Sequence, residues 1–166
     1  MEDLIPRPET RRLLDAWWGA SQAMKRHVAP LLEREHGLDF KDFLLLDAIF
    51  SGARFPGEIV ERLAIPPSNV SRILDDLTHR NLVQRTLDEQ DSRRVRLTLT
   101  GAGDEALKGA RATMTLLMEA ALHSMPDADL NAFTRGLQQL HATLIHASEI
   151  CPHLRAVSDV PKEATS

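Results

Sequence analysis

The tightest constraint on this chain is a break at Ile65-Pro66-Pro67. Consecutive prolines end a helix, because each lacks an N–H and crowds the turn before it. On either side lie two short amphipathic stretches, PGEIVERLA and SNVSRILDDLTHR. Pro56 suits the first turn of one helix, and Pro67 or Ser68 begins the next. Leu63 on the first, with Val70, Leu74 and Leu77 on the second, recur at helical spacing and predict a shared interior. Two helices joined by so tight a turn have the spacing of a helix-turn-helix. The polar residues left outside are Ser68, Asn69, Ser71, Arg72 and Asp75, gathered at the N-terminal end of the second helix.

Asn81 follows that helix where a left-handed residue is wanted. Then VQRTL and VRLTL flank DEQDSRR, which predicts a β-hairpin with a tip too charged to pack inward. A hairpin directly after a helix-turn-helix is a wing. In such an arrangement the second helix presents side chains to base edges, Asn suiting adenine and Arg suiting guanine. Arginines at the tip, Arg93 and Arg94, suit a narrow minor groove. Asp91 is expected to grip the Arg93 guanidinium through a bidentate pair and aim it. Arg54, Arg80 and Arg85 are candidate phosphate contacts. Taken singly, SNVSR also reads as the cap of an amphipathic helix and DEQDSRR as a solvated turn. Their succession is what favours a nucleic-acid surface.

Net charge is −4, which alone argues against nucleic acid. Its distribution does not. Residues 54–98 hold 8 Arg and no Lys against 7 acids, or +1, while the remainder holds 12 basic against 17 acidic residues, or −5. The middle is where the positive charge is concentrated, and there it is all arginine, whose planar fork suits phosphate and guanine.

The flanks read as long helices. Leu14, Trp17, Ser21, Met24, Val28, Leu31 and Leu32 mark one over residues 10–36, with Pro30 expected to kink or split it. Asp39 can cap FKDFLLLDAIF, a helix apolar on most sides and so expected at the centre of the core. A helix of more than twenty residues starts at Thr100-Gly101, and after Pro126-Asp127 a last one carries Leu130, Phe133, Leu137, Leu140 and Leu144. With 43% hydrophobic residues a substantial core is expected. One cysteine, Cys151, excludes an intrachain disulfide. MEDLIPRPETRR lacks the apolar stretch of a signal peptide, and no apolar run is long enough to span a bilayer. A cytoplasmic location is the expectation.

These residues resemble the MarR family of winged helix-turn-helix transcriptional regulators. Asp91-Ser92-Arg93, followed after five residues by Leu99-Thr100, matches the family's D-x-R-x5-L-T wing signature. EIVERLAIPPSNVSRILDDLTHRNLVQR is similar to its helix-turn-helix and first wing strand, with Asn81 at a position usually held by glycine. The resemblance covers about residues 10–148. It implies a mainly α fold with a small β-wing, divided into an N-terminal dimerisation helix (1–36), a winged domain (37–100), C-terminal dimerisation helices (101–148) and a tail (149–166). It also implies a homodimer on a roughly palindromic operator, and Leu31, Leu137, Leu140 and Leu144 are the candidate interface. No cofactor is required. A small anionic or phenolic effector is expected between the dimer bundle and the winged domain, with Trp17, Trp18, Arg26, His27 and Asp47 as candidate contacts.

Other chemistry finds little support. Peroxide-sensing members use a cysteine near the N-terminus, where this chain has none. His146, Glu149, Cys151 and His153 are ligand-type residues in a spacing that fits no regular zinc pattern. His79 and Asp76 could pair, but no nucleophile lies near them in sequence, and no enzyme signature occurs. The expectation is a double-stranded-DNA-binding repressor without enzymatic activity. The alternatives are a dimeric small-molecule or metal carrier that does not bind DNA, and a wing that docks another protein.

Overall fold

The structure is a computed structural model, and it describes residues 7–88, 91 and 93–145. The elements run α1 (Pro8–His36), α2 (Phe40–Phe50), α3 (Pro56–Leu63), α4 (Pro67–His79), β1 (Val83–Leu87), β2 (Val95–Leu99), α5 (Gly101–Leu122) and α6 (Asp127–Ile145). Among the described residues, those through Met118 pack as one unit and those from Glu119 as a second.

α1 starts two residues before the expected residue 10 and continues through Pro30 without a break. Both Pro30 and Arg26, whose carbonyl loses its partner there, are exposed, so water can satisfy the freed oxygen. Gly37, at φ 63°, ends the helix, its N–H donating to the Glu33 carbonyl (3.0 Å) while the Leu38 amide donates to the Leu32 carbonyl (3.2 Å). Asp39 and Asp42 then form a reciprocal capping box at the start of α2: the Asp42 amide donates to Asp39 Oδ1 (2.7 Å) and the Asp39 amide to Asp42 Oδ2 (3.2 Å). α2 buries Phe43, Leu45, Leu46, Ala48 and Ile49, and so lies at the centre of the core as its composition implies.

The proline break works through Ala64, which turns left-handed (φ 50°) and ends α3 before α4 begins at Pro67. Val70, Ile73, Leu74 and Leu77 are buried on α4, and Leu63 packs partly buried against the same core. Asn81 takes the left-handed conformation (φ 57°) that its position requires. The two strands pair antiparallel from Val83↔Leu99 to Leu87↔Val95. Their inner half is anchored by buried Val83 and Leu97, and the Leu97 amide donates to the Arg54 carbonyl (2.8 Å). Their outer half stands clear, with Leu87 68% exposed.

α5 is seated by a small hub. Thr100 donates its hydroxyl to the Asn81 carbonyl (2.6 Å) and its amide to the Leu82 carbonyl (3.1 Å), while its Oγ1 accepts the Gly103 amide (3.0 Å). Along α1 the C-terminal half, Val28 and Leu32, enters the core, but residues 11–20 are all exposed. Taken by itself, α6 has no buried residue.

Candidate nucleic-acid interface

α4 points its apolar side inward, which leaves Ser68, Ser71, Arg72 and Asp75 exposed and Asn69 half-buried. These are the residues that the periodicity sets outside. Two acids on this helix, Asp75 and Asp76, would oppose a phosphate. Each meets an arginine: Arg85 of β1 approaches Asp75 at 2.7 Å, and Arg80 approaches Asp76 at 3.0 Å. No ion pair with a described residue engages Arg72.

Arg80 therefore has internal work that its place as a candidate phosphate contact does not suggest. Its Nη1 also donates to Asp42 Oδ2 (2.8 Å), an otherwise buried carboxylate, and its Nη2 donates to the Gly37 carbonyl. The one guanidinium ties the end of α1 to α2 and α4. Burial, the largest influence on it, works against its charge, but the hydrogen bonds to Asp42 and Asp76 prevail and raise its pKa. Arg85 is likewise paired, while Arg54 is exposed and its amide donates to Glu58 Oε2 (2.6 Å).

At the wing, Asp91 does not grip the Arg93 guanidinium. Its Oδ1 accepts the Arg93 backbone amide instead (3.0 Å), a side-chain-to-backbone turn that an aspartate two residues upstream is well placed to make. The Asp91 amide donates to Asp88 Oδ1 (3.1 Å), its carbonyl accepts the Arg94 amide (2.9 Å), and the Asp88 amide donates to the Arg94 carbonyl (3.0 Å). Asp91 thus shapes the loop rather than one side chain. Arg93 and Arg94 are both exposed, and the Arg94 guanidinium lies over the Phe55 ring, 3.6 Å from its centroid.

Helix pair, wing and flanking helices together match known proteins. A family model described as "MarR family" matches residues 36–94. That segment, which is less than half of the chain, is similar to the MarR family. The HTH-type transcriptional repressor MdtR of Bacillus subtilis is 37% identical over 97 residues, which are 56% of this chain and 63% of MdtR. The match thus spans less than two thirds of that relative's length. Among solved structures, the transcriptional regulator BldR from Sulfolobus solfataricus superposes with a TM-score of 0.72 at 20% identity, over 86% of this chain and 99% of BldR. Streptococcus pneumoniae FabT, solved in complex with DNA, gives 0.72 at 19% identity, over 83% and 99%. At those identities the two structures speak to the fold alone.

Four of the five expected effector contacts stand exposed along α1. Trp17 and Trp18 are 50% and 67% exposed, and Arg26 and His27 are exposed too. Asp47 is engaged by Arg111 of α5, whose Nε and Nη2 donate to its Oδ1 at 2.8 and 2.6 Å and whose guanidinium also covers the Phe50 ring at 4.2 Å. Three open cavities of about 530, 490 and 400 Å³ lie elsewhere in the first unit, and none of the three is lined by those five residues. α1 also meets α5, where His36 Nε2 is joined to Thr113 Oγ1 (2.8 Å) and Thr113 donates to Glu35 (3.2 Å). Hydrogen bonds from Arg34 and Thr113 hold the Glu35 carboxyl below its ordinary pKa. Of the candidate dimer residues, Leu140 and Leu144 are exposed and Leu31 and Leu137 half-buried. His146, Glu149, Cys151 and His153, with the tail 149–166, lie outside the described residues. Among the described residues no cluster of metal-ligating side chains occurs, and no helix is long and apolar enough to cross a membrane.

Proposed function

We propose that the chain is a cytoplasmic, sequence-specific DNA-binding regulator that acts as a homodimer on a pseudo-palindromic operator and represses transcription there. The observation that supports this most is the surface at the start of α4. Ser68, Ser71 and Arg72 face outward together, the neighbouring acids are each paired to arginine, and the wing arginines are exposed on the same unit. Asn69 and Arg72 would read bases, Arg93 would enter the minor groove, and exposed Arg54 would meet phosphate. The DNA complex of FabT, a fold neighbour, and the naming of MdtR as a repressor agree with this reading.

Dimerisation is supported by large apolar side chains left open on the terminal helices. Leu13, Leu14, Trp17 and Trp18 of α1, Leu116 of α5, and Leu144 and Ile145 of α6 are each at least half exposed. A single chain leaves these in water, and a second copy would cover them. On the family resemblance, a small anionic or phenolic effector releases DNA by preferring a subunit arrangement that sets the two α4 helices at the wrong spacing.

Selection from a random-sequence duplex library tests the proposal. The enriched sites should be inverted repeats with half-sites about one helical turn apart. Asn69→Ala and Arg72→Ala should change which bases are enriched. A selection that enriches nothing, or variants that enrich the parent's sequence unchanged, would overturn it.

A further inference from the structure

We propose that Arg94 is a wing-positioning residue, whose guanidinium stacks on Phe55 and holds the hairpin against the start of α3 so that Arg93 is aimed at the duplex. This rests on the DNA-binding reading above and divides the labour of two adjacent arginines. Both would otherwise count as contacts of the same kind.

Three observations lead to it. First, the outer half of the hairpin has little beneath it: Leu87 is 68% and Val95 37% exposed, and the buried anchors Val83 and Leu97 lie at the inner half. Second, the wing loop is tied to Arg94 itself. The Arg94 carbonyl accepts the Asp88 amide, and its own amide donates to Asp91, whose carboxylate orients the Arg93 amide. Moving Arg94 therefore moves Arg93 and the loop with it. Third, the ring beneath Arg94 is itself fixed. Glu58 Oε2 accepts both the Phe55 amide (3.3 Å) and the Arg54 amide (2.6 Å) at the start of α3, and the Arg54 carbonyl takes the Leu97 amide from the wing. A chain of contacts runs from Glu58 through Phe55 to Arg94 and on to the tip. Glu58 and Glu61 line the same groove, which places negative charge near the stacked cation.

An exposed cation–π contact is worth roughly 2–5-fold in an equilibrium constant. The proposal therefore expects Arg94→Ala and Phe55→Ala each to weaken binding to a library-selected duplex about 2–5-fold per wing. The double variant should bind no worse than either single one, and Phe55→Trp should bind like the parent, because tryptophan offers the better ring face. Without DNA, hydrogen exchange at the Asp88 and Arg94 amides should quicken by a similar factor in both alanine variants.

Two results would overturn the proposal. One is a Phe55→Ala protein that binds like the parent while Arg94→Ala binds weakly and loses about one counterion from its salt dependence, which would make Arg94 itself a phosphate contact. The other is unchanged exchange in both variants. Quickened exchange in a protein whose parent binds no selected duplex would support the docking contact while sinking the regulator reading on which the aiming of Arg93 rests.

Discussion

Gly103→Ala sets two physical effects against each other in one substitution. Gly103 is the third residue of α5, and alanine in a helix gains about 1 kcal/mol over glycine by propensity alone. Here the added Cβ would lie 2.0 Å from the Leu82 carbonyl oxygen and 2.9 Å from its carbon, both backbone atoms, where ordinary contact begins at 3.4 Å. Backbone must retreat by more than an ångström. That retreat pulls apart the hub in which Thr100 holds the Leu82 and Asn81 carbonyls and the Gly103 amide. Overpacking costs about 1–3 kcal/mol, and hydrogen bonds lost at the hub about 1 kcal/mol each. Against the propensity gain, the net expectation is a loss of about 3 kcal/mol. Gly57→Ala is the internal comparison: its Cβ would meet nothing within 4 Å, so that variant should be unchanged or gain up to about 1 kcal/mol. Urea denaturation followed by circular dichroism at one fixed protein concentration measures both, since association shifts apparent stability. A Gly103→Ala protein as stable as the parent would refute the close approach of α5 to the α4–β1 connection.

Other substitutions test other contacts. Arg80→Ala should cost about 2 kcal/mol in the same assay, less than for a fully buried pair because the guanidinium is 30% exposed, and a Lys replacement should recover only part, since it cannot reach Asp42, Asp76 and the Gly37 carbonyl with one fork. Arg93→Ala should weaken duplex binding about tenfold, as for loss of a contact of roughly 1.4 kcal/mol, and lower the salt dependence measured by anisotropy. Replacing both Trp17 and Trp18 by serine should shift the sedimentation profile from dimer toward monomer without loss of helical signal.

The local pattern was enough for the helix pair, since Pro66-Pro67 leaves few ways to continue and the apolar spacing of α4 specifies which side is outside. Asn81 and the alternation of β1 and β2 were legible for the same reason: each depends on neighbours in sequence. What escaped is non-local. Arg80 and Asp42 are 38 residues apart, Arg111 and Asp47 64, and His36 and Thr113 77, so no periodicity announces them. Arg94 over Phe55 is of the same kind. Asp91 was visible as a residue serving the wing but not in its manner, because a carboxylate two residues before an arginine can reach either the guanidinium or the amide. Pro30 looked like a break, yet on the exposed side of a long helix it needs no partner for the carbonyl it frees. The tight place for Gly103 depends on where the Leu82 carbonyl lies, which only the fold determines.

The central claim is that the start of α4 and the wing together face a duplex. Fluorescence anisotropy of a selected duplex, titrated with the chain across a range of salt concentrations, tests it most directly. The account predicts two chains bound per duplex and an association constant that falls steeply with salt, as several phosphate contacts require. Binding that is absent at low salt, or equally weak for every sequence and insensitive to salt, would contradict it.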